Sequence, residues 1–216
     1  MIDKDQLKKL RIDYNSNKSL TKDEIQKNPF LQFAQWFQFA TDQQIRDVNA
    51  FVLSTVNAKN CPTSRVVLMR DFDEQGFVFF TNYLSNKVQD LKFNNAGSIN
   101  FFWSELERQV RIEGRIEKVT DAESDAYFDS RPKSSQIGAW ASPQSNIIPN
   151  RDYLDQRVAE LEKKYADQKV DRPKHWGGLR LVPEYFEFWQ GRANRLHDRF
   201  AFQKTEHGWT IDRMAP

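Results

Sequence analysis

The sequence predicts a mainly β protein with helices, an α+β chain whose antiparallel barrel is interrupted by a helical excursion. Three observations carry that expectation. β-rich runs at hairpin spacing begin at Ala50, a helical pattern breaks them after Thr120, and strand signals return at Gly178. Successive hairpins at such spacing mark an antiparallel barrel or sandwich. The 17 Phe and 6 Trp in 216 residues supply bulky core material for one domain, or one with an appended helical segment.

Each element has a local cause. Residues 1–27 are charged and lack a clean apolar period, so they are expected to form a mobile arm or lid ahead of a single domain over 28–216. Pro29 suits a first helical turn, and Phe30, Phe33, Ala34, Phe37 and Ala40 recur at helical spacing, widened by Trp36 and Phe39. Strand runs over 50–57 and 63–70 flank the polar turn 58–62, and Asp73-Glu74-Gln75-Gly76 turns the chain into Phe77 to Thr81. A third hairpin joins 98–103 to 109–119, where Gly114 predicts a bulge or tight bend.

Thr120 and Glu123 form a capping box that opens a helical insertion over 120–167. Short helices are expected to Phe128 and over 134–140, then a longer one over 151–166 with Leu154, Val158, Leu161 and Tyr165 on one stripe. After a polar linker, strands are expected at 178–182, 185–190, 195–203 and 209–213.

Composition removes several functions. With 32 basic and 30 acidic residues the charge is too even for a general nucleic-acid coat. A lone cysteine, Cys61, excludes an internal disulfide and a cysteine-cluster metal site, and the three histidines lack metal-ligand spacing, so no metal is expected. There is no glycine-rich dinucleotide fingerprint, no Walker-type loop and no His-Glu-x-x-His. The opening residues have no apolar signal core and no run is long enough to span a bilayer, so a cytoplasmic chain without a membrane partner is expected.

The chemistry concentrates in a few segments. If Arg195-Leu196-His197-Asp198-Arg199 is a strand, Arg195, His197 and Arg199 share one face, close in sequence to Trp189. That combination suits a flat, phosphorylated ring. By the same parity Arg65 and Arg70 face opposite sides, unless a bulge intervenes, and so serve different groups; solvated strand ends are the alternative. Thr81 to Lys87 sets small polar donors and a lysine before a helix start, fit either for a phosphate or for simple capping. Tyr127, Arg131 and Ser135 offer a second anion grip, with ordinary capping by Ser134 or Ser135 as the alternative. Gln109, Gln144 and Ser145 are candidate partners for a heterocycle edge. Two separable anion grips, an aromatic plate and a cationic segment exceed what a core or a surface needs.

These residues together resemble the pyridoxine (pyridoxamine) 5′-phosphate oxidase family. The resemblance is carried by Arg65-Val66-Val67-Leu68, Phe79-Phe80-Thr81-Asn82, Glu107-Arg108-Gln109-Val110, Ser130-Arg131-Pro132, Ser135-Gln136-Ile137-Gly138-Ala139-Trp140 and Trp176-Gly177-Gly178. It continues through Glu187-Phe188-Trp189-Gln190-Gly191 and Arg195-Leu196-His197-Asp198-Arg199 to Ile211-Asp212-Arg213-Met214-Ala215-Pro216. In unbroken order it covers residues 28–216.

The resemblance implies a split β-barrel homodimer with FMN at the subunit interface, oxidising pyridoxine and pyridoxamine 5′-phosphates with O2 in vitamin B6 metabolism. It implies that Arg65, Val66, Val67, Leu68, Met69, Arg70, Phe80, Thr81 and Lys87 hold FMN, with Gln109, Gln144, Ser145, Trp189 and Arg199 around the flavin. The substrate phosphate falls to Arg70, Tyr127, Arg131 and Ser135, and its ring to Arg195, Leu196 and His197, with Arg195 and His197 as the catalytic residues. Arg11 and Tyr14 match a segment that closes over the substrate. Two positions depart from the family: Arg70 stands where Lys is usual, and Asn86 where Arg is common beside the flavin phosphate. The rival readings are a flavin or nitro reductase using a nicotinamide donor, which has no need of the second anion grip, and a flavin-binding or nucleic-acid-binding barrel, the nucleic-acid version being disfavoured by the balanced charge.

Overall fold

The computed structural model describes residues 3–10, 13–14 and 19–216. In chain order the elements are α1 (Lys4–Lys9), α2 (Pro29–Asp42), β1 (Ala50–Val56), β2 (Pro62–Leu68), β3 (Asp71–Asp73), β4 (Gly76–Asn82), α3 (Asn86–Phe93), β5 (Ala96–Trp103) and β6 (Arg108–Lys118). Then come α4 (Asp121–Ser130), α5 (Lys133–Ala141), α6 (Arg151–Lys164), β7 (Trp176–Gln190), β8 (Asp198–Thr205) and β9 (Gly208–Met214). Helix α2 starts where Asn28 accepts a hydrogen bond from the Phe30 amide at 2.8 Å, with Pro29 in the first turn. The capping box of α4 forms in both directions, Glu123 N to Thr120 Oγ1 and Thr120 N to Glu123 Oε2. Among the described residues no helix is long and apolar enough to cross a membrane, and no group of His, Cys, Asp and Glu is arranged to hold a metal ion.

Two compact units result. The first comprises Met1–Ala50, Asn100–Ile112 and Glu184–Pro216. Its strands run in the order β5-β6-β7-β8-β9. The predicted stripe of α2 supplies its core: Phe33 packs on Phe101 at 5.1 Å between ring centroids and Trp36 stands edge-on to Phe188 at 5.4 Å. Leu20 and Ile25 are also buried, so the sparse apolar residues before Pro29 do join a core although they show no period.

The second unit comprises Phe51–Ile99 and Glu113–Pro183, with strand order β2-β1-β5-β6-β7-β4-β3. Phe51, Phe77, Phe79 and Ile99 are buried in it, and the helices add a cluster of Phe128, Ile137, Tyr165, Val170 and Trp176. Withdrawing each such side chain from water contributes about 1.5–3 kcal/mol. Val158 and Leu161 of α6 pack on that cluster from one stripe, as the spacing predicts.

Strand expectations change at β7 and at Gly114. β7 is one 15-residue strand, not two. Residues 176–181 pair with β4 and residues 185–190 with β8, and Pro183, which has no N–H to donate, falls between the two ladders. Gly114 marks close backbone approach, with β6 continuous through it: a Cβ there would run into the carbonyl of Val182.

Candidate active site

In the second unit a cavity of about 400 Å³ is lined by four cations, Arg65, Arg70, Lys87 and Arg131, and by no carboxylate among the described residues. Val66, Val67 and Leu68 of β2 line it too, with Phe80, Thr81, Tyr127, Gln144 and Trp176. Met69 is buried and does not line it. Arg65 and Arg70 therefore face the same space, against the parity expectation. β2 ends at Leu68 and β3 begins at Asp71, so the alternation of faces lapses across Met69 and Arg70.

Lys87 stands in the first turn of α3. Its Nζ donates to Thr81 Oγ1 (3.1 Å), Ser85 Oγ (3.0 Å) and Gln144 Oε1 (3.1 Å), all neutral acceptors. Burial, with the Arg65 charge adding to it, pushes the Lys87 ammonium down to about 8. Ser145 adopts a left-handed φ of 73° and accepts from the Asn86 amide at 3.3 Å, which sets it at the start of α3.

Part of the lining is aromatic. Phe80 stacks on Tyr127 at 3.8 Å and on Trp176 at 5.5 Å. The Arg131 guanidinium lies 4.6 Å from the Trp176 ring centroid, and its Nη1 is buried without a hydrogen-bond partner among the described residues. A buried, unpaired guanidinium nitrogen is costly, and an anion in the cavity would satisfy it. Ser135 occupies the first turn of α5, half-buried, and does not line this cavity.

The first unit holds the other candidates. β7 and β8 set Trp189 directly opposite Arg199. Arg199 donates from Nε to buried Glu187 (2.8 Å) and from Nη1 to the Ala215 carbonyl (2.7 Å). Glu187 also accepts from Arg111 Nη2 at 2.8 Å, and Gln109, two residues along β6 from Arg111, shares that strand face. Trp189 lies 4.5 Å from the His197 ring, with Tyr14 edge-on to both, at 5.6 and 5.8 Å. Arg11 lies outside the described residues.

Arg195, Leu196 and His197 do not belong to a strand. Arg195 closes a 3-10 turn, Ala193–Arg195, and β8 begins only at Asp198. Asn194 and Arg195 are both left-handed, φ 56° and 62°, so the one-face argument with Arg199 fails. For Arg195 that conformation costs about 1–2 kcal/mol, strain of the kind found at functional sites. The arginine and Leu196 are exposed. His197 Nδ1 accepts from the Arg192 amide at 3.1 Å, so the neutral ring carries its proton on Nε2. Burial first, then the charges of Arg195 and Arg199, lower its pKa and favour that neutral form.

Sequence reasoning left Trp176, Thr55, Thr63 and Asp90 without roles. Trp176 was visible as an aromatic before a Gly-Gly pair, and Asp90 as an acid one helical turn after Lys87.

Residues 37–165 match the sequence model of the family described as pyridoxamine 5′-phosphate oxidase, and residues 176–216 match the pyridoxine 5′-phosphate oxidase C-terminal dimerisation region. The pyridoxine/pyridoxamine 5′-phosphate oxidase of Acaryochloris marina is 50% identical over 96% of this chain and 94% of its own. That of Paraburkholderia phytofirmans is 51% identical over 97% and 99%. Among solved structures, PhzG from Burkholderia lata, in complex with tetrahydrophenazine-1-carboxylic acid, is 26% identical with a TM-score of 0.86, covering 92% of this chain and 98% of its own. A pyridoxamine 5′-phosphate oxidase-related, FMN binding protein of Nostoc punctiforme shares the fold at a TM-score of 0.68 and 14% identity, over 87% and 97% of the two chains. The expected class, a mainly antiparallel split β-barrel with helices, is the class observed. On this sequence match along nearly its whole length, the chain belongs to the pyridoxine/pyridoxamine 5′-phosphate oxidase family of oxidoreductases.

Proposed function

We propose that the chain oxidises pyridoxine 5′-phosphate and pyridoxamine 5′-phosphate to pyridoxal 5′-phosphate, with FMN as cofactor and O2 as acceptor. The observation that carries this reading is the cavity that, among the described residues, is lined by four cations and no acid and leaves the Arg131 Nη1 unpartnered. That charge balance fits phosphate groups. Arg65, Thr81 and Lys87 would hold the FMN phosphate, with the 66–70 segment and Phe80 beside them. Gln109, Gln144, Ser145, Trp189 and Arg199 would surround the flavin. Arg70, Tyr127 and Arg131, with Ser135 near them, would take the substrate phosphate. When bound, FMN supplies a two-electron acceptor at N5 for the hydride leaving C4′, with O2 reduced to H2O2.

This chain's own residues orient and polarise. Fixing the substrate phosphate restricts where its ring can lie, and such positioning is worth several kcal/mol of barrier. Arg195 would hold the ring and offset charge near C4′; His197, neutral with its proton on Nε2, would donate to a polar ring substituent. Leu196 would pack on the ring, and the segment of Arg11 and Tyr14 would close over it. The match to a dimerisation region supports a homodimer, and we place FMN at its subunit interface. Aerobic incubation with pyridoxamine 5′-phosphate and no nicotinamide should yield aldehyde and peroxide. A requirement for a nicotinamide donor would favour the reductase reading instead.

Two expectations concern the flavin phosphate. Because Lys87 titrates at about 8 in the free protein while a phosphate holds a second negative charge above pH ~6, binding takes up a proton once the pH exceeds 8. FMN affinity should then fall by up to about tenfold per pH unit. Lys87→Arg should abolish that slope in a fluorescence titration. Asn86→Arg should tighten FMN binding by about tenfold or more, since a hydrogen bond from a charged group contributes about 1.5–3 kcal/mol. Equal affinity of the two proteins would remove the role given to Asn86.

A further inference from the structure

Arg65 is held by groups that nothing in the proposed chemistry requires. Its Nη1 donates to Thr55 Oγ1 (2.7 Å) and to the carbonyls of Thr63 (3.1 Å) and Leu53 (3.4 Å), and its Nη2 donates to Thr63 Oγ1 (2.7 Å). Behind both hydroxyls lies Asp90, a buried carboxylate on α3. Its Oδ2 accepts from Thr55 Oγ1 at 2.7 Å and from Thr63 Oγ1 at 2.8 Å. Asp90 and Lys87 are three residues apart on that helix, so they share a face.

The directions of these bonds are forced. A guanidinium only donates, a carboxylate only accepts, and a hydroxyl has one proton to give. With both threonine protons directed at Asp90, both threonine oxygens turn lone pairs towards Arg65. The direct separation of Asp90 Oδ2 and Arg65 Nη2 is 3.6 Å, longer than any of the bonds through the hydroxyls. Burying a carboxylate is expensive unless its hydrogen bonds are made, and here they converge on a side chain of the cavity wall.

We infer that Asp90 is a positioning residue for Arg65, acting through the hydroxyls of Thr55 and Thr63 to fix the guanidinium where it meets the phosphate of the flavin. The inference rests on the reading of the cavity as the FMN phosphate site. It also accounts for an acid close to a phosphate site. Asp90 does not line the cavity, and its Oδ2 accepts from both hydroxyls.

The test compares two ligands that differ by the phosphate alone, FMN and riboflavin, titrated into the full-length chain after removal of its flavin. Asp90→Ala should weaken FMN by about tenfold or more, equivalent to about 1.4 kcal/mol, and leave riboflavin unchanged within about twofold. Asp90→Asn keeps one oxygen able to accept from both hydroxyls and should restore most of the FMN affinity. A parallel loss of both ligands in Asp90→Ala would mean general loosening and would overturn the inference. So would an unaltered preference for FMN, or an Asn variant as weak as Ala. A wild-type protein that binds both ligands equally would instead bring down the phosphate reading of the cavity, and the role of Asp90 with it.

Discussion

Replacing Arg195 with leucine is expected to lower turnover by about a hundredfold or more while FMN remains bound. Arg195 sits in a left-handed turn, exposed, among residues assigned to the substrate ring. Leucine is no more strained there than arginine, since both are unbranched at Cβ, so the substitution removes the guanidinium and leaves the turn. On the proposed reading its charge and donors are lost beside the reacting ring, and groups of that kind are each worth about 10²–10³ in rate. Steady-state assays should show the loss mainly in kcat, with the visible flavin spectrum retained. Unchanged turnover would refute the assignment. Loss of the flavin spectrum would place Arg195 in cofactor binding.

The second large effect is expected at Arg131. Arg131→Met should reduce kcat/KM for pyridoxine 5′-phosphate by about a hundredfold, the loss of a charge-assisted phosphate contact or two at about 1.5–3 kcal/mol each. Folding should suffer little. The Nη1 that disappears has no partner to abandon, and a methionine thioether still packs against the Trp176 ring. Comparing phosphorylated and unphosphorylated pyridoxine isolates the effect, because the unphosphorylated substrate never makes the contact. A similar fall for both would show that Arg131 does not read the phosphate.

Periodicity located most elements, and each success has a local cause. Of the α2 stripe, Phe30, Phe33 and Ala40 are buried and Ala34 and Phe37 half-buried, with Trp36 buried beside them, and the Thr120–Glu123 box opens α4. The failures are equally local. Parity assumes an unbroken strand, and it gave the wrong answer at Arg70, where β2 has ended, and at Arg195, where two left-handed residues turn the chain. The strands expected at 178–182 and 185–190 are one, because the sequence does not show that Pro183 sits where no ladder N–H is needed.

From the residues alone came the mixed β class, the absence of common metal and dinucleotide motifs, and the inventory of cations, hydroxyls and aromatics that the site would draw upon. Folding decided which of these meet: Arg65 with Arg70 and Lys87 around one cavity, Arg131 against Trp176, and Asp90 behind two threonines. The division has a simple origin. Backbone periodicity and capping act over a few residues and leave a trace in the chain, whereas the charge balance of a cavity depends on side chains brought together from distant strands and helices.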